Sequence, residues 1–201
     1  MTRTFHLRTA IRMMARVAAA TAGALSVAAA ADTPADTAPA PAAHWVQRKL
    51  DYTYVGFTTK FTCDGLSDTV RQLLLTLGAR KRDLEIQSTG CVNFNGVEPF
   101  PGVRATFWVL VPVTAGATGG SDDKTVAQTQ WQTVNLVKDR GYPTDQGRCE
   151  LLDQIKRQAL PLFTSRNLNF HSSCFPYQET MGDIGFTVDV LRPVPAPSPP
   201  T

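Results

Sequence analysis

The chain has 201 residues and a formal net charge of +3, a length that fits one ordinary domain or two very small ones. Residues 1–31 contain four arginines and no acidic residue, so the rest of the chain carries 16 basic side chains against 17 acidic ones. This near balance gives no electrostatic reason to expect binding to nucleic acid or to an anionic membrane.

The N-terminal segment has the three parts of a secretory signal peptide. A stretch with four arginines precedes the weakly hydrophobic run VAAATAGALSVAAA, which ends in alanines before Asp32. The run is too short and too rich in alanine for a good transmembrane helix, although an uncleaved anchor and an organelle transit peptide are alternatives. We therefore predict a signal peptide over residues 1–31, a periplasmic or secreted protein, and no membrane span after cleavage.

Two segments with few large apolar side chains flank the predicted globular domain. Residues 32–43 (DTPADTAPAPAA) are mostly alanine and proline, which is typical of a semi-extended linker. Residues 194–201 form a proline-rich tail. Between them we predict a single globular domain, 44–193, with two repeats, 44–113 and 125–193, joined by a flexible loop, 114–124.

The first repeat begins with a predicted strand and a predicted helix. Residues 52–61 (YTYVGFTTKF) are rich in β-branched and aromatic residues, which favour a strand. Apolar residues then recur at helical spacing up to Gly78, a suitable left-handed C-terminal residue. Asp64 or Ser67 is expected to cap the start of this helix.

Alternating apolar and polar residues predict two further strands, over residues 84–91 and 103–111. The inward face of the second of these is expected to consist of Val103, Ala105, Phe107 and Val109. The second repeat begins with a strand over residues 125–138 that lacks clean alternation. A helix starting near Cys149 follows, and Pro161 is expected to end or kink it. Two more strands complete the pattern, with these residues facing inward: Leu168, Phe170, Ile184, Phe186, Val188 and Val190.

The two repeats also agree in amino-acid sequence. With Cys63 aligned to Cys149, four residues of the first helix match without a gap; RDLEIQS then aligns with RNLNFHS, and VLVPV with VLRPV. This agreement predicts a duplicated β-α-β-β unit. The expected fold is α+β, with two β-α-β-β repeats forming a mainly antiparallel sheet that has two helices on one face.

Four cysteines in an exported protein indicate disulfides. A strand that returns antiparallel to its helix ends near the start of that helix. We therefore predict the bridges Cys63–Cys91 and Cys149–Cys174. A crossed pairing, Cys63 with Cys149 and Cys91 with Cys174, is the alternative.

The sequence contains no recognisable catalytic or cofactor-binding motif. His171 and Cys174 form an H-x-x-C pattern, but that cysteine is expected in a disulfide, so no metal site is predicted. We predict no cofactor and no enzymatic activity; the alternative is an envelope hydrolase using His171 or a carboxylate. The carboxylates that could converge in such an enzyme are Asp64, Glu98, Glu150 and Glu179.

Equivalent loops, VNFNGVEPFPG and FPYQETMGD, follow the second cysteine of each repeat. Their aromatic residues are candidates for an exposed contact surface, although they could instead seal the core: Phe94, Phe100, Phe175 and Tyr177. We predict an exported, disulfide-stabilised binding or interaction module of the cell envelope, for instance an inhibitor of a hostile enzyme. Its partner would be a protein or a small ligand, and the sequence leaves the oligomeric state open. A purely structural accessory domain is the other alternative.

The strings CDGL, LLLTLGAR and CELL with the later KRQ, together with the N-terminal segment, resemble uncharacterised exported bacterial proteins. The resemblance covers the whole region after the signal peptide. It brings with it no activity, ligand or site, and the predictions of fold and compartment are based on the residues alone.

Overall fold

The structure, a computed structural model, describes residues 41–56, 61–92, 96–113, 123–137, 145–173 and 184–195. All of these belong to one compact unit, Ala38–Thr201. The elements are β1 (Ala43–Thr53), α1 (Cys63–Leu77), β2 (Glu85–Thr89), β3 (Gly102–Pro112), β4 (Asp123–Ala127), β5 (Thr129–Asn135), α2 (Asp145–Gln158), β6 (Ser165–Ser172) and β7 (Ile184–Pro193). In this part of the chain, no helix is long and apolar enough to cross a membrane.

The strands form two antiparallel sheets, so the α+β class is confirmed but the single predicted sheet is wrong. One sheet has the order β2-β3-β1-β4 and the other has the order β5-β7-β6. β4 and β5 are separated only by Gln128, and β4 pairs with just three residues of β1, with a register shift after His44. The segment predicted as one strand therefore leaves the first sheet and enters the second.

The first strand also differs from the prediction, which placed it at residues 52–61. β1 begins at Ala43 and ends at Thr53, and all 11 of its residues pair with β3. Leu50, Tyr52 and Tyr54 face the core, whereas Val55 is 47% exposed. The alternation of buried and exposed residues in this strand begins before the aromatic-rich stretch. The charged residues on the exposed face made this earlier part of the strand hard to recognise in the sequence.

Helix α1 matches its predicted extent but has a different cap. The side chain of Thr62, rather than that of Asp64 or Ser67, accepts a hydrogen bond from Gly65 N at 3.1 Å. Gly78 ends the helix at φ 109°, as predicted. Its buried stripe consists of Leu66, Val70, Leu73, Leu74 and Leu77.

The helices and the inner faces of both sheets share one hydrophobic core. The inward faces predicted for the last strand of each half are confirmed, because Val103, Ala105, Phe107, Val109, Ile184, Phe186, Val188 and Val190 are all buried. The rings of Phe107 and Phe163 stack across the two halves with centroids 5.4 Å apart. Thr164 of the second half also donates a hydrogen bond to the Leu110 carbonyl of the first, at 2.8 Å.

A second, smaller cluster packs on the opposite face of the strands, and its members are Ala43, Leu110, Leu191, Trp45, Ala127 and Trp131. The Arg80 guanidinium lies 5.0 Å from the ring centroid of Trp45 and 4.9 Å from that of Trp108. Arg166 stacks in the same way on Trp131, at 4.4 Å. These cation–π contacts cover the apolar side chains where the two sheets meet.

Strand β6 contains an irregularity that the sequence did not reveal. Its pairing with β7 shifts register between Arg166 and Asn169, and Asn167 has a φ of 52°. Leu168 was predicted to face inward but is 42% exposed, because a bulge changes which side chains face the core. Asp189 on β7 accepts hydrogen bonds from Thr133 at 2.6 Å and from Asn167 at 2.8 Å.

These contacts of Asp189 make the stability of the protein depend on pH. Hydrogen bonding from Thr133, with Asn167 and Arg166 adding to it, holds the pKa of Asp189 below its usual value. The stabilisation is therefore present above the unfolded-state pKa of about 3.9 and is lost as the pH falls through the lower folded-state pKa. We expect Asp189→Asn to destabilise the protein at pH 6 and to lose that effect progressively in acid, as measured by urea unfolding across pH.

The matched control is Asp51→Asn, which removes an exposed ion pair with Arg104. Exposed pairs contribute little, so its effect should stay below about 1 kcal/mol at each pH. An unfolding free energy of Asp189→Asn that runs parallel to that of the wild type at every pH would contradict the prediction.

Candidate functional site

The bridge predicted between Cys63 and Cys91 is confirmed. Their Cα atoms lie 6.1 Å apart and the bridge spans 28 positions in the sequence, so it ties the first residue of α1 to the segment after β2. The crossed alternative is therefore wrong. Cys149 is also disulfide-bonded, and Cys174, its predicted partner, lies outside the described residues.

The segment after this bridge, residues 91–101, is called the Cys91 loop below; its residues 91–92 and 96–101 are described. Glu98 lies almost fully buried inside it, with 1% of its surface exposed. The Glu98 carboxylate accepts a hydrogen bond from Val92 N at 3.0 Å, and Glu98 N donates to the Phe61 carbonyl at 3.0 Å. The Glu98 side chain thus joins two parts of the loop. The Glu98 backbone joins the loop to the segment before α1.

The two ends of the Cys91 loop meet at a glycine. Gly90 has a φ of 69°, and a Cβ there would lie 2.7 Å from the Phe100 carbonyl oxygen. Any other residue would face both a strained backbone and this close approach. Tyr54 N also donates to the Pro101 carbonyl at 2.9 Å, so the loop is closed and joined to the end of β1.

This closed loop exposes large apolar side chains instead of burying them. Val92 is 83% exposed, Phe100 61% and Val97 55%; Val55, beside the Tyr54 contact, is 47% exposed. The disulfide, Glu98 and Gly90 hold the backbone at both described ends of the loop, residues 91–92 and 96–101. These residues therefore present a preorganised apolar surface to solvent, a property associated with interaction sites.

Of the four aromatic residues predicted to form a contact surface, Phe100 is the one that the structure describes, and it is exposed. Phe94, Phe175 and Tyr177 lie outside the described residues, so their role stays a prediction. The structure adds Val92 and Val97 to the surface. The signal for these valines was their position among the glycine and prolines of a loop, where an apolar side chain has little core to join.

Helix α2 of the second half packs against the same end of β1 through polar contacts. The Gln154 side chain accepts a hydrogen bond from Val55 N at 3.2 Å and donates one to the Val55 carbonyl at 2.7 Å, as a neighbouring strand would. It also accepts from the Tyr52 hydroxyl at 3.3 Å, and the Tyr54 hydroxyl donates to Glu150 at 3.2 Å. Burial raises the pKa of Tyr54 above its usual range, so this hydroxyl remains a donor.

We expect Gln154→Leu to lower the free energy of unfolding by about 1–3 kcal/mol, because it leaves the Val55 N–H and carbonyl without this partner. Gln154 is 7% exposed. Guanidinium unfolding at neutral pH measures the loss. Gln158→Leu, an exposed glutamine on the same helix, serves as the control and should change stability by less than about 0.5 kcal/mol. Equal effects of the two substitutions would contradict the role given to Gln154.

The residues of the alternative hydrolase have other surroundings. His171 is exposed on β6, with its ring lying over Gly185 of β7 where a Cβ would collide with it. Glu98 binds its own loop, Glu150 accepts from Tyr54, and Asp64 is exposed at the start of α1. Glu179 lies outside the described residues. Within the described ranges, no three His, Cys, Asp or Glu side chains are grouped to bind a metal ion.

Fold and site together define an α+β protein with two antiparallel sheets and a disulfide-anchored apolar loop. No protein family matches the chain. No curated protein and no solved structure matches it either.

Proposed function

We propose that the protein is an exported binding module that presents the Cys91 loop to a protein partner. The observation that carries the proposal is the exposure of Val92, Val97 and Phe100 on a backbone fixed by a disulfide and by buried Glu98. Placing several apolar side chains in water has a cost that a partner surface would remove. A fixed loop loses little conformational entropy on binding, which favours affinity.

Export is part of the same proposal. The N-terminal segment has the pattern of a signal peptide, and disulfides persist in oxidising compartments. The Cys63–Cys91 bridge is compatible with such a compartment, and so is the bonded state of Cys149. The proposed location is therefore the periplasm or the medium.

We also propose that the domain arose by duplication of a β-α-β-β unit, with a Cys149–Cys174 bridge equivalent to the first one. The orders β2-β3-β1 and β6-β7-β5 support this, because the third strand of each unit lies between the other two. Trp45 faces Leu110 in the first half, and Trp131 faces Leu191 in the second, positions that the sequence alignment makes equivalent. The loop after Cys174, which carries Phe175 and Tyr177, would then be a second contact loop.

Further register agreements support the duplication. Ile86 pairs with Ala105 as Phe170 pairs with Phe186, which are aligned positions. Just beyond the strands, Val113 N donates to the Ala42 carbonyl and Val194 N to the Gln128 carbonyl, each at 2.9 Å. Shared strand pairing, strand order and flanking hydrogen bonds are what a duplication of one unit would produce.

The test compares two doubly substituted proteins as bait for envelope extract from the native cells. Val92→Ser with Phe100→Ser removes two of the three apolar side chains that the described part of the Cys91 loop exposes. Val126→Ser with Leu168→Ser is the control. It removes one valine and one leucine side chain that are exposed outside the loop, at 58% and 42%. All four positions are exposed, so each protein should keep its fold, which circular dichroism checks.

We expect the wild type and the Val126/Leu168 variant to capture the same protein, and the Val92/Phe100 variant to capture at least tenfold less of it. Quantitative mass spectrometry of the eluates gives this ratio. Equal capture by both variants, or loss in the Val126/Leu168 variant alone, would reject the Cys91 loop as the binding surface.

A further inference from the structure

The outermost strands of the two sheets, β2 and β6, occupy equivalent places in the two halves. Each forms the edge of its sheet and pairs on one side with the third strand of its unit. An edge strand exposes backbone N–H and carbonyl groups that can pair with another chain, and proteins usually protect such edges with bulges or inward-pointing charges. The protection of β2 can therefore be compared with that of β6.

Strand β6 carries both kinds of protection. Its pairing breaks between Arg166 and Asn169, where Asn167 adopts a left-handed conformation, so the edge is bent and irregular. The Lys156 ammonium lies 4.1 Å from the ring centroid of Phe170, which places a charge over the core-facing residue of this edge. A strand approaching β6 would meet a distorted backbone and the partly buried ammonium of Lys156.

Strand β2 has an unbroken register. All five residues, Glu85–Thr89, pair in sequence with β3 without a shift. The Ser88 hydroxyl is 2.7 Å from that of Ser67, which braces the strand against α1. Ile86 faces the core yet is only partly buried, and among the described residues no strand other than β3 pairs with β2.

We propose that β2 is the dimerisation edge of this protein and pairs with β2 of a second copy in the antiparallel direction. An isologous contact of this kind uses the same strand twice and joins two four-stranded sheets into one. It would also cover the exposed side of Ile86. The proposal is based on the unbroken register of β2 and on the register break and overlying cation of its equivalent, β6.

Charge disfavours one register of the pairing and is compatible with a pairing centred on Gln87. Centred on Gln87, the two strands place Glu85 opposite Thr89 of the second copy and Ile86 opposite Ser88. Glu85, the one charged residue of β2, then meets a hydroxyl; a pairing centred on Glu85 would set two carboxylates against each other. The two Ile86 residues would be diagonal neighbours, about 7–8 Å apart with their Cβ atoms somewhat closer, which is within reach of apolar contact.

The first test is sedimentation equilibrium of the purified protein between about 1 and 100 μM, the range suited to a small interface. We expect a monomer–dimer equilibrium whose dissociation constant rises at least tenfold in Gln87→Lys, because two lysines would face each other. His171→Lys is the matched control: His171 is the aligned, exposed residue of β6 and should leave the constant unchanged. A protein that stays monomeric throughout, or a dimer disrupted by His171→Lys alone, overturns the proposal.

A second variant tests the register. With Gln87 at the centre, the Cα atoms of two facing cysteines would lie about 4.5–5.5 Å apart, inside the range that a disulfide needs. Gln87→Cys should therefore form a covalent dimer on mild oxidation, seen on a non-reducing gel, whereas His171→Cys should not. A dimer that Gln87→Cys fails to cross-link overturns the pairing. The Val92/Phe100 variant should still dimerise, so failure of the loop function and failure of this proposal are separable.

Discussion

Replacing both Cys63 and Cys91 with serine should lower the free energy of unfolding by about 3–4 kcal/mol. The bridge spans 28 positions, and removing a cross-link of that span restores this amount of chain entropy to the unfolded state. A domain of this size has a total stability of about 5–15 kcal/mol, so the loss is a large share of it. The denaturation midpoint in urea, with the slope measured alongside it, gives the change.

The same substitution should loosen the Cys91 loop before the rest of the domain. Its other anchors, the Glu98 contacts and the approach of Gly90 to Phe100, are local, whereas the buried stripe of α1 does not depend on the bridge. Hydrogen exchange should therefore rise first at the amides of Val92 and Glu98, which donate hydrogen bonds to the Glu98 carboxylate and to the Phe61 carbonyl. A stability loss below about 1 kcal/mol with unchanged loop exchange would contradict the anchoring role of the bridge.

Truncating Phe107 to alanine should destabilise the domain by about 3–5 kcal/mol, the usual cost of removing a phenylalanine from a packed core. Phe107 has no exposed surface, and its ring stacks on Phe163 of the other half. Its loss leaves a cavity where the two halves meet, so both halves should unfold together. Guanidinium unfolding followed by tryptophan fluorescence and by far-ultraviolet circular dichroism measures this.

Phe100→Ala provides the control of identical chemistry at an exposed site. Phe100 is 61% exposed, and substitutions of this kind usually change stability by less than about 0.5 kcal/mol. Similar losses for the two variants would mean that Phe107 does not lie in a shared core. Two separate transitions in the Phe107 variant would likewise contradict a single cooperative domain.

Much of the fold could be predicted where one physical signal dominates. The stripe of α1 has a helical period and a glycine end, and β3 and β7 alternate cleanly with one face buried. The Cys63–Cys91 pairing followed from the antiparallel return of a strand beside its helix. In each case, local periodicity and tertiary burial favour the same structure.

The predictions of the fold were wrong where tertiary contacts, and not the local sequence, determine the structure. Aromatic residues from Tyr52 onward suggested a strand, but pairing with β3 places it at Ala43–Thr53. A single sheet was expected because nothing in the sequence marks Gln128 as the point where the strand changes sheets. The bulge at Asn167 exposed Leu168, and a one-residue insertion of this kind leaves no trace in an alternating pattern.

The candidate site was only partly predictable for the same reason. The loop after Cys91 stood out through its glycine, prolines and aromatics, and Phe100 is indeed exposed. Glu98 is one of the carboxylates that the sequence offers to a hydrolase, whereas in the structure it accepts a hydrogen bond from Val92 N inside the loop. A lone acidic residue among valine, proline and phenylalanine is a signal for such an anchor. The contact of Gln154 with Val55 joins residues 99 positions apart and has no local signature.

Site-specific photo-cross-linking tests the central claim, that the Cys91 loop contacts a protein partner, most directly. A benzoylphenylalanine replaces Phe100 in one protein and Leu168 in another, and each is irradiated in its native cells. We predict one discrete cross-linked product from position 100, abolished by Val92→Ser, and none of that mass from position 168. The same product from both positions, or none from position 100, would contradict the account.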